Sequence, residues 1–221
     1  SSIGDTTVVT DKWMLGTRNS FFVGIVATLL ATALGTVAAL GLSRPHMPFK
    51  AVLMAILISP MIVPLIITAA GMFFFYSKIG LTHTYLGLIL AHTALGTPFV
   101  VITVTATLTG FDTNLIRASQ SLGADTMRTF FKVIMPLILP GVISGGLFAF
   151  ITSFDEVVIV MFIGSVEQIT IPKQMWAGLR QETSPVILCM ATCLVALSIA
   201  LLTTVEMLRR RSERLRGIKQ R

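Results

Sequence analysis

Residues 109–136 read TGFDTNLIRASQSLGADTMRTFFKVIMP and carry a pattern that the long uncharged runs on either side lack. Asp112 and Asp125 can each cap a short helix, and Gly123 between them suits the left-handed end of the first one. The apolar residues of this stretch exceed what a simple connector needs: Leu115, Ile116, Leu122, Met127, Phe130 and Phe131. The pattern predicts a helix–glycine–helix element with an apolar face that suits a docking partner.

The regions around this element are long runs without Asp, Glu, Lys or Arg. Such runs indicate membrane spans, because one of these residues at mid-membrane costs about 2.5–3.5 kcal/mol and a crossing needs roughly 20 residues. We predict an all-α integral membrane protein, one domain over residues 1–221, with five spanning helices at residues 21–42, 52–75, 85–108, 137–154 and 186–208.

The composition agrees with this class of protein. Of the 221 residues, 54% are hydrophobic and only 12% are charged, whereas a soluble domain carries about 25% charged residues. The net charge of +7 could suggest nucleic acid, but only six Lys or Arg lie between residues 51 and 208. They are scattered, whereas a nucleic-acid groove needs them clustered, so we expect no nucleic-acid partner.

The basic residues predict the orientation of the chain. Residues 209–221 contain seven Lys or Arg against one acid, which predicts a basic cytoplasmic tail. Counting back through five spans places residues 109–136 in the cytoplasm and residues 1–20 outside. Basic residues then divide 12 inside to 5 outside. Because the outer segment 1–20 has no apolar core that would export it, we expect an upstream helix in the full protein, and six spans in total.

Small residues and prolines predict how the spans pack. Ala27, Ala31, Gly35 and Ala39 recur every four residues in the first span, and Gly141 and Gly145 repeat this spacing in the fourth. We interpret both as surfaces for close helix packing. Prolines at positions 60, 64, 98 and 140 predict bends within otherwise continuous spans.

The loop has a second, more specific pattern. LIRASQSLGA (residues 115–124) followed by KVIMP (residues 132–136) resembles the EAA loop of binding-protein-dependent ABC import permeases. In that family the pattern is Glu-Ala-Ala, three residues, Gly, nine residues, Ile, any residue, Leu-Pro. Ala118, Gly123 and Pro136 match it in register.

The departures from this pattern are conservative except at one position. Ser119 replaces the second Ala, Val133 the Ile and Met135 the Leu, whereas Arg117 stands where the family has Glu. The resemblance implies that this cytoplasmic coupling helix sits in a groove on a partner ATPase. The coupling residues it implies are Arg117, Ala118, Ser119, Leu122, Gly123, Ala124 and Pro136.

The resemblance also implies the other parts of the assembly. Two permease subunits would form the pore, and the second is expected to be a different chain. An ATP-binding cassette ATPase dimer would use ATP and Mg, and this chain would bind no cofactor. A solute-binding protein would deliver the solute at the outer face. The expected location is the lipid of a bacterial inner membrane.

Residues beyond the loop resemble the subgroup that imports spermidine, putrescine and related small cations. They are TPFVV (residues 97–101), GFD (residues 110–112) and SFDEVV (residues 153–158). Another cargo on the same permease, such as an amino-acid derivative or an opine, is the main alternative. A stand-alone ion channel or secondary carrier is the alternative from another class.

Candidate solute-path residues cluster where the fourth span ends. Asp155 and Glu156 follow Thr152, Ser153 and Phe154 near the predicted outer surface. This acidic pair could meet a cationic solute, or it could cap the apolar segment that follows, and the sequence supports both interpretations equally.

The remaining candidate is His92 in the third span, which could line a pathway or be a packing residue. The sequence contains no GxxxxGK[ST] phosphate loop and no spacing typical of metal ligands. We therefore expect no metal site and no catalytic residues, so ATP hydrolysis would belong to the partner.

Overall fold

The computed structural model describes the backbone of residues 2–44, 46–110, 112, 114–181 and 185–215. Within these ranges, the side chains of residues 2–10, 179–181, 185–187, 205, 208, 209 and 211–215 are not described. The helices are α1 (Ser2–Leu42), α2 (Lys50–Ile62), α3 (Leu65–Ile79), α4 (Tyr85–Thr109), α5 (Asn114–Ser121), α6 (Thr126–Thr129), a π-helical turn (Phe130–Ile134), α7 (Met135–Phe154), α8 (Val158–Ile163), α9 (Ile171–Gln181) and α10 (Pro185–Leu215). No strand occurs among these residues, which confirms the all-α class.

Among the residues that the structure describes, three helices are long and apolar enough to cross a membrane: Asp11–Leu42, Tyr85–Thr109 and Thr126–Phe154. The pair α2 and α3 gives a fourth crossing only if the two helices count as one broken span. The fifth predicted span corresponds to α10, whose described apolar part is Leu188–Thr204. Of the basic tail, residues 209–215 continue α10, and residues 216–221 lie outside the described residues.

Helix α1 is longer than the sequence predicts. The segment 1–20 is polar, but from Ser2 onward it continues the first span as one helix of 41 residues. Asn19 and Ser20, which we expected in an outer segment, are buried. Their burial has a tertiary cause, because both side chains contact a segment about 150 residues further along the chain.

The second span is broken, so the prediction of one bent helix over residues 52–75 is wrong. The axes of α2 and α3 differ by 104°. Two prolines four residues apart explain the break. Pro60 and Pro64 both lack an N–H, and a proline disfavours helical geometry at the residue before it. Val63, before Pro64, is extended at ψ 135°.

Helices α1, α4 and α7 pack closely against one another through small residues. A Cβ added at Gly35 of α1 would lie 2.7 Å from the Cβ of Val100 on α4. One added at Gly96 of α4 would lie 2.9 Å from the Cβ of Ala149 on α7. One added at Gly145 of α7 would collide with the hydroxyl of Thr103 on α4. The predicted packing surfaces are therefore confirmed, since only glycine fits at these contacts.

Contrary to the prediction of a loop over residues 109–136, residues 126–136 belong to the spanning helix. Helix α6 passes through the π-helical turn directly into α7, so the span begins at Thr126 and not at residue 137. The turn is wider because the Met135 N–H donates to the Phe130 carbonyl, five residues back. Pro136 then follows with no N–H to donate, which favours this local change in hydrogen bonding.

Candidate functional site

The α5–α6 element, residues 112–129, lies at the end of the bundle where α1 and α4 finish. The N–H of Asn114 donates to Asp112 Oδ1 at 2.9 Å, and Asp125 Oδ1 accepts from the N–H of Arg128 at 2.8 Å. Between these two caps, Gly123 has a φ of +82°. The predicted capping and the predicted left-handed glycine are therefore confirmed.

Two backbone hydrogen bonds close the end of α5. The N–H of Ala124 donates to the Ser119 carbonyl at 3.0 Å, and the N–H of Gly123 donates to the Gln120 carbonyl at 2.9 Å. This pair of bonds is the Schellman arrangement, which needs a left-handed residue at the position of Gly123. The direction in which the chain leaves α5 is thus set by one glycine.

The element exposes apolar side chains, and a polar contact within it joins α5 to the start of the spanning helix. Leu122 is 89% exposed and Met127 is 66% exposed. Ser119 Oγ lies 2.9 Å from Thr129 Oγ1, and Thr129 is buried at the start of the spanning helix. Ser119, which stands at an alanine position of the EAA pattern, therefore links α5 directly to the span.

The other residues predicted to couple to an ATPase are mostly on the surface. Arg117, Ala118 and Pro136 are exposed, and Ala124 is partly buried next to the turn. Behind the element lies a cavity of about 360 Å³ between it and the ends of α1 and α4. It is lined by Leu40, Arg44, Leu108, Ile116, Phe130 and Ile134 among others. The element is therefore not packed tightly against the spans over its whole length.

The predicted acidic pair lies at the opposite end of the bundle, where α7 finishes. Asp155 is exposed, whereas Glu156 is buried. Glu156 Oε1 accepts from the N–H of Ile159 at 3.0 Å, which caps the first turn of α8. Burial raises the pKa of the Glu156 carboxyl, and the hydrogen bond from Ile159 partly opposes that shift. Glu156 thus makes the capping contact that one of the two interpretations predicts.

The structure brings together two of the predicted path residues from different helices. His92 of α4 and Ser153 of α7 are both buried, and His92 Nδ1 lies 2.7 Å from Ser153 Oγ. His92 Nε2 is buried with no hydrogen-bond partner among the described residues. Phe154 is buried with its ring 5.0 Å from that of Phe21, and Thr152 is partly buried.

The α8 segment, residues 155–171, is held by polar side chains that are not among the predicted candidate residues. Asn19 Nδ2 donates to the carbonyls of Glu167 and Ile169 at 2.8 and 2.9 Å, while Asn19 Oδ1 accepts from the Tyr85 hydroxyl. Ser20 Oγ accepts from the N–H of Ile171 at 2.9 Å. The sequence offers only two adjacent polar residues just before the predicted first span, and their partners are too distant in sequence to be found from it.

Lys173 of α9 holds the other end of α8. Its Nζ lies 3.3 Å from the Val160 carbonyl and 3.1 Å from the Ser165 carbonyl. Burial lowers the pKa of the Lys173 ammonium. Short helix α8 therefore has a carboxylate at its start and an ammonium at its end, which is the favourable order for its dipole.

Within the ranges that the structure describes, no group of His, Cys, Asp and Glu is placed to hold a metal ion. The geometry instead defines a class of protein: a helical multi-pass membrane protein that presents a short helix–turn element at one end of its bundle. Residues 31–214 match the family of binding-protein-dependent transport system inner membrane components, and the chain belongs to this family. It is therefore a transporter subunit of ABC importers and not an enzyme in its own right.

Named relatives agree with the family. The chain is 29% identical over 194 residues to the spermidine/putrescine transport system permease protein PotC of Haemophilus influenzae, covering 88% of this chain and 76% of that protein. It is 28% identical over 198 residues to the putrescine transport system permease protein PotI of Escherichia coli K12, covering 84% of this chain and 68% of that protein. The resemblance to the polyamine subgroup of this family is confirmed.

Solved structures show the same fold. An inward-facing MetNI methionine ABC transporter matches with a TM-score of 0.66 and 20% identity, covering 96% of this chain and 98% of that chain. A bacterial ABC transporter involved in the import of the acidic polysaccharide alginate matches with a TM-score of 0.69 and 15% identity, covering 89% and 75%. The family excludes the alternative of a stand-alone channel or secondary carrier.

Proposed function

We propose that this chain is a permease subunit of an ATP-driven importer that moves spermidine, putrescine or a related small cation across a bacterial inner membrane. The relatives PotC and PotI, named for these two solutes, support the cargo. The family supports the presence of an ATPase and a solute-binding protein in the assembly. The second permease subunit is proposed to be a different chain.

The α5–α6 element is proposed to dock on the ATPase. The observation that carries this is a short helix, closed by a left-handed glycine, that exposes large apolar side chains at one end of a membrane bundle. Exposed apolar side chains next to a fixed turn are typical of a helix that fits a groove on a partner. ATP and Mg would be bound by that partner, whose closure would move α5 and, through Ser119 and Thr129, the spanning helix α7.

Arg117 gives this docking contact a testable polarity. It is exposed on α5 at the position where the EAA pattern has Glu. A guanidinium at this place would be complementary to an acidic side chain in the ATPase groove, whereas the usual Glu would meet a basic or polar one. We therefore propose that the cognate ATPase presents a carboxylate to Arg117.

The orientation follows from the docking. The α5 end of the bundle, the basic tail and the C-terminus are proposed to be cytoplasmic, and the α8 end is proposed to face the solute-binding protein. Asp155 is exposed at that end, directly after α7. We propose that it meets the cation first, with Thr152, Ser153, Phe154, Glu156 and His92 further along the path.

The experiment is purification and reconstitution of the whole assembly. Affinity-tagged chain is isolated from its native membrane, the co-purifying subunits are identified, and the complex is placed in lipid vesicles with its binding protein. We expect an ATPase and a second, different permease to co-purify. We also expect ATP-dependent uptake of labelled putrescine or spermidine. Uptake of an amino acid or an opine but no polyamine would contradict the cargo, and isolation without an ATPase would contradict the docking.

A further inference from the structure

The break between α2 and α3 leaves backbone groups without hydrogen-bond partners inside an uncharged stretch. Val63 is extended, Pro64 follows it with a ψ of 130°, and the chain turns by 104° there. The flanking run, residues 51–77, contains no Asp, Glu, Lys or Arg. A turn of this kind at membrane depth exposes polar backbone where lipid cannot satisfy it.

A side chain replaces one of the two backbone hydrogen bonds that the prolines remove. Pro60 has no N–H, so the Ile56 carbonyl loses its helical partner. Ser59 replaces that partner, because its hydroxyl donates to the Ile56 carbonyl at 2.8 Å. The last regular bond of α2 runs from the N–H of Val63 to the Ser59 carbonyl at 3.0 Å.

The second lost hydrogen bond has no replacement among the described residues. Pro64 has no N–H to give to the Pro60 carbonyl, and the carbonyls of Met61, Ile62 and Val63 accept no hydrogen bond from any described residue. These four oxygens form the C-terminal end of α2, where the helix dipole adds partial negative charge. We call these four oxygens the carbonyl end.

Exposure at the carbonyl end is high. Ile62 is 73% exposed and Met61 is 54% exposed, and α2 contributes no buried residue to the core. Water, a solute or another polar chain can satisfy these oxygens, whereas hydrocarbon cannot. The break must therefore face something other than lipid in the assembled importer.

We propose that the carbonyl end lines the water-filled solute path and binds cationic groups, in the first place primary ammonium groups, through its backbone oxygens. An ammonium has three N–H donors and no acceptor, so it matches a set of free carbonyls. No acidic side chain is needed, which fits a path that must bind a cation and release it again. That the cation is the cargo rests on the proposed function, but the location and charge preference of the site do not.

The test is the reaction of a single cysteine at the break with charged thiol reagents in the assembled importer. Cys189 and Cys193 are first replaced by Ala, and Ile62→Cys is introduced into this background. Two methanethiosulfonates of similar size are compared, one carrying an ammonium and one a sulfonate, each rate being divided by the rate with free cysteine. We expect Ile62→Cys to react, and to prefer the cationic reagent by about tenfold.

The control is Leu29→Cys in the same background. Leu29 lies on α1, well inside an uncharged run, and is 65% exposed, so it matches Ile62 in exposure without lying at a break. We expect it to react with neither reagent, because its surroundings would be lipid. An unreactive Ile62→Cys would overturn the path location, as would a Leu29→Cys that reacts equally fast. Equal relative rates of the two reagents at Ile62→Cys would overturn the cation site.

A second measurement separates this inference from the proposed cargo. Putrescine delivered by the binding protein should slow the reaction of Ile62→Cys with the cationic reagent. If an importer that does transport putrescine shows the same labelling rate with and without it, ammonium binding at the break is overturned. If the unmodified importer transports no polyamine, the proposed cargo is wrong. The preference for the cationic reagent then still decides whether the carbonyl end binds cations.

Discussion

The α5–α6 element and the α8 segment are capped in the same way but differ in how far their side chains are buried. Each contains a short helix and an acid that caps a first turn, Asp125 in one and Glu156 in the other. Helix α5 has no buried residue, whereas α8 buries Ile159, Val160 and Ile163 completely. Capping therefore makes a short helix possible, and tertiary contacts decide whether it is displayed or enclosed.

The two regions also differ in their side-chain hydrogen bonds, which indicates different roles. One side-chain bond, between Ser119 and Thr129, joins α5 to the span. Side chains of Asn19, Ser20 and Lys173 bind backbone atoms of the α8 segment, and Gln168 of the segment donates to the His83 carbonyl. The first arrangement leaves a surface for a partner, and the second fixes the shape of one end of the bundle.

The largest effect is expected from Gly123→Ala, which should abolish uptake while the protein remains in the membrane. No atom lies within 4 Å of the added Cβ, so the change acts only through the strain of a left-handed alanine, about 1–2 kcal/mol, at the turn that orients α5. ATP-dependent uptake by the reconstituted importer measures it. Normal uptake would contradict the role of this turn in coupling.

Two glycines serve as matched controls for Gly123→Ala. Gly80 ends α3 with a φ of +72° and also has open space around it, so Gly80→Ala introduces the same strain away from α5. Gly71 has open space without a left-handed backbone, so Gly71→Ala introduces neither clash nor strain. Both should retain uptake. Equal loss in Gly80→Ala would mean that strain alone, and not its position, stops transport.

Asn19→Ala is expected to have the next largest effect, on stability. Asn19 is 1% exposed, and its loss removes the donors to the Glu167 and Ile169 carbonyls and one acceptor of the Tyr85 hydroxyl, which keeps its bond to the Glu167 carbonyl at 3.3 Å. We expect a destabilisation of about 2–4 kcal/mol, measured as thermal unfolding of the purified importer, and faster proteolysis within residues 164–170. The control is Asn114→Ala on exposed α5, and similar losses in both variants would reject the special role of Asn19.

These two variants also mark what the sequence could and could not predict. The cap at Asp125 and the left-handed turn at Gly123 depend on neighbours within four residues, so the printed sequence is enough to find them. The break at Val63 and Pro64 was predicted only as a bend, because whether a helix with two prolines bends or separates depends on what surrounds its free carbonyls. The contacts of Asn19 cross about 150 residues, and no local rule could supply them.

Lys173→Met should have a smaller effect, confined to the α8 end. The variant keeps an unbranched, mainly apolar side chain but removes the ammonium from the carbonyls that finish α8. Because the side chain is only half buried, we expect a loss of about 1 kcal/mol in unfolding free energy. Lys78→Met at the exposed end of α3 is the control. Equal stability of Lys173→Met and the unmodified protein would show that hydrophobic packing alone holds α8.

The smallest effect is expected in the pH dependence contributed by Glu156. Burial raises the pKa of its carboxyl in the folded protein above the value in the unfolded chain, so the folded state binds the proton more tightly. The stability that protonation contributes is complete below the unfolded pKa, near 4.3, and is lost as the pH rises through the raised folded pKa.

In Glu156→Gln the side-chain carbonyl can still accept from the N–H of Ile159, so the cap remains while the titration disappears. The melting temperature of the unmodified protein should therefore rise relative to that of Glu156→Gln as the pH is lowered from 7 towards 4. Glu167→Gln, at an exposed acid of the same segment, is the control and should follow the unmodified protein. A constant difference in melting temperature between Glu156→Gln and the unmodified protein at all pH values would mean that the Glu156 carboxylate is solvated like a surface group. The α8 segment would then be more open than its buried side chains indicate.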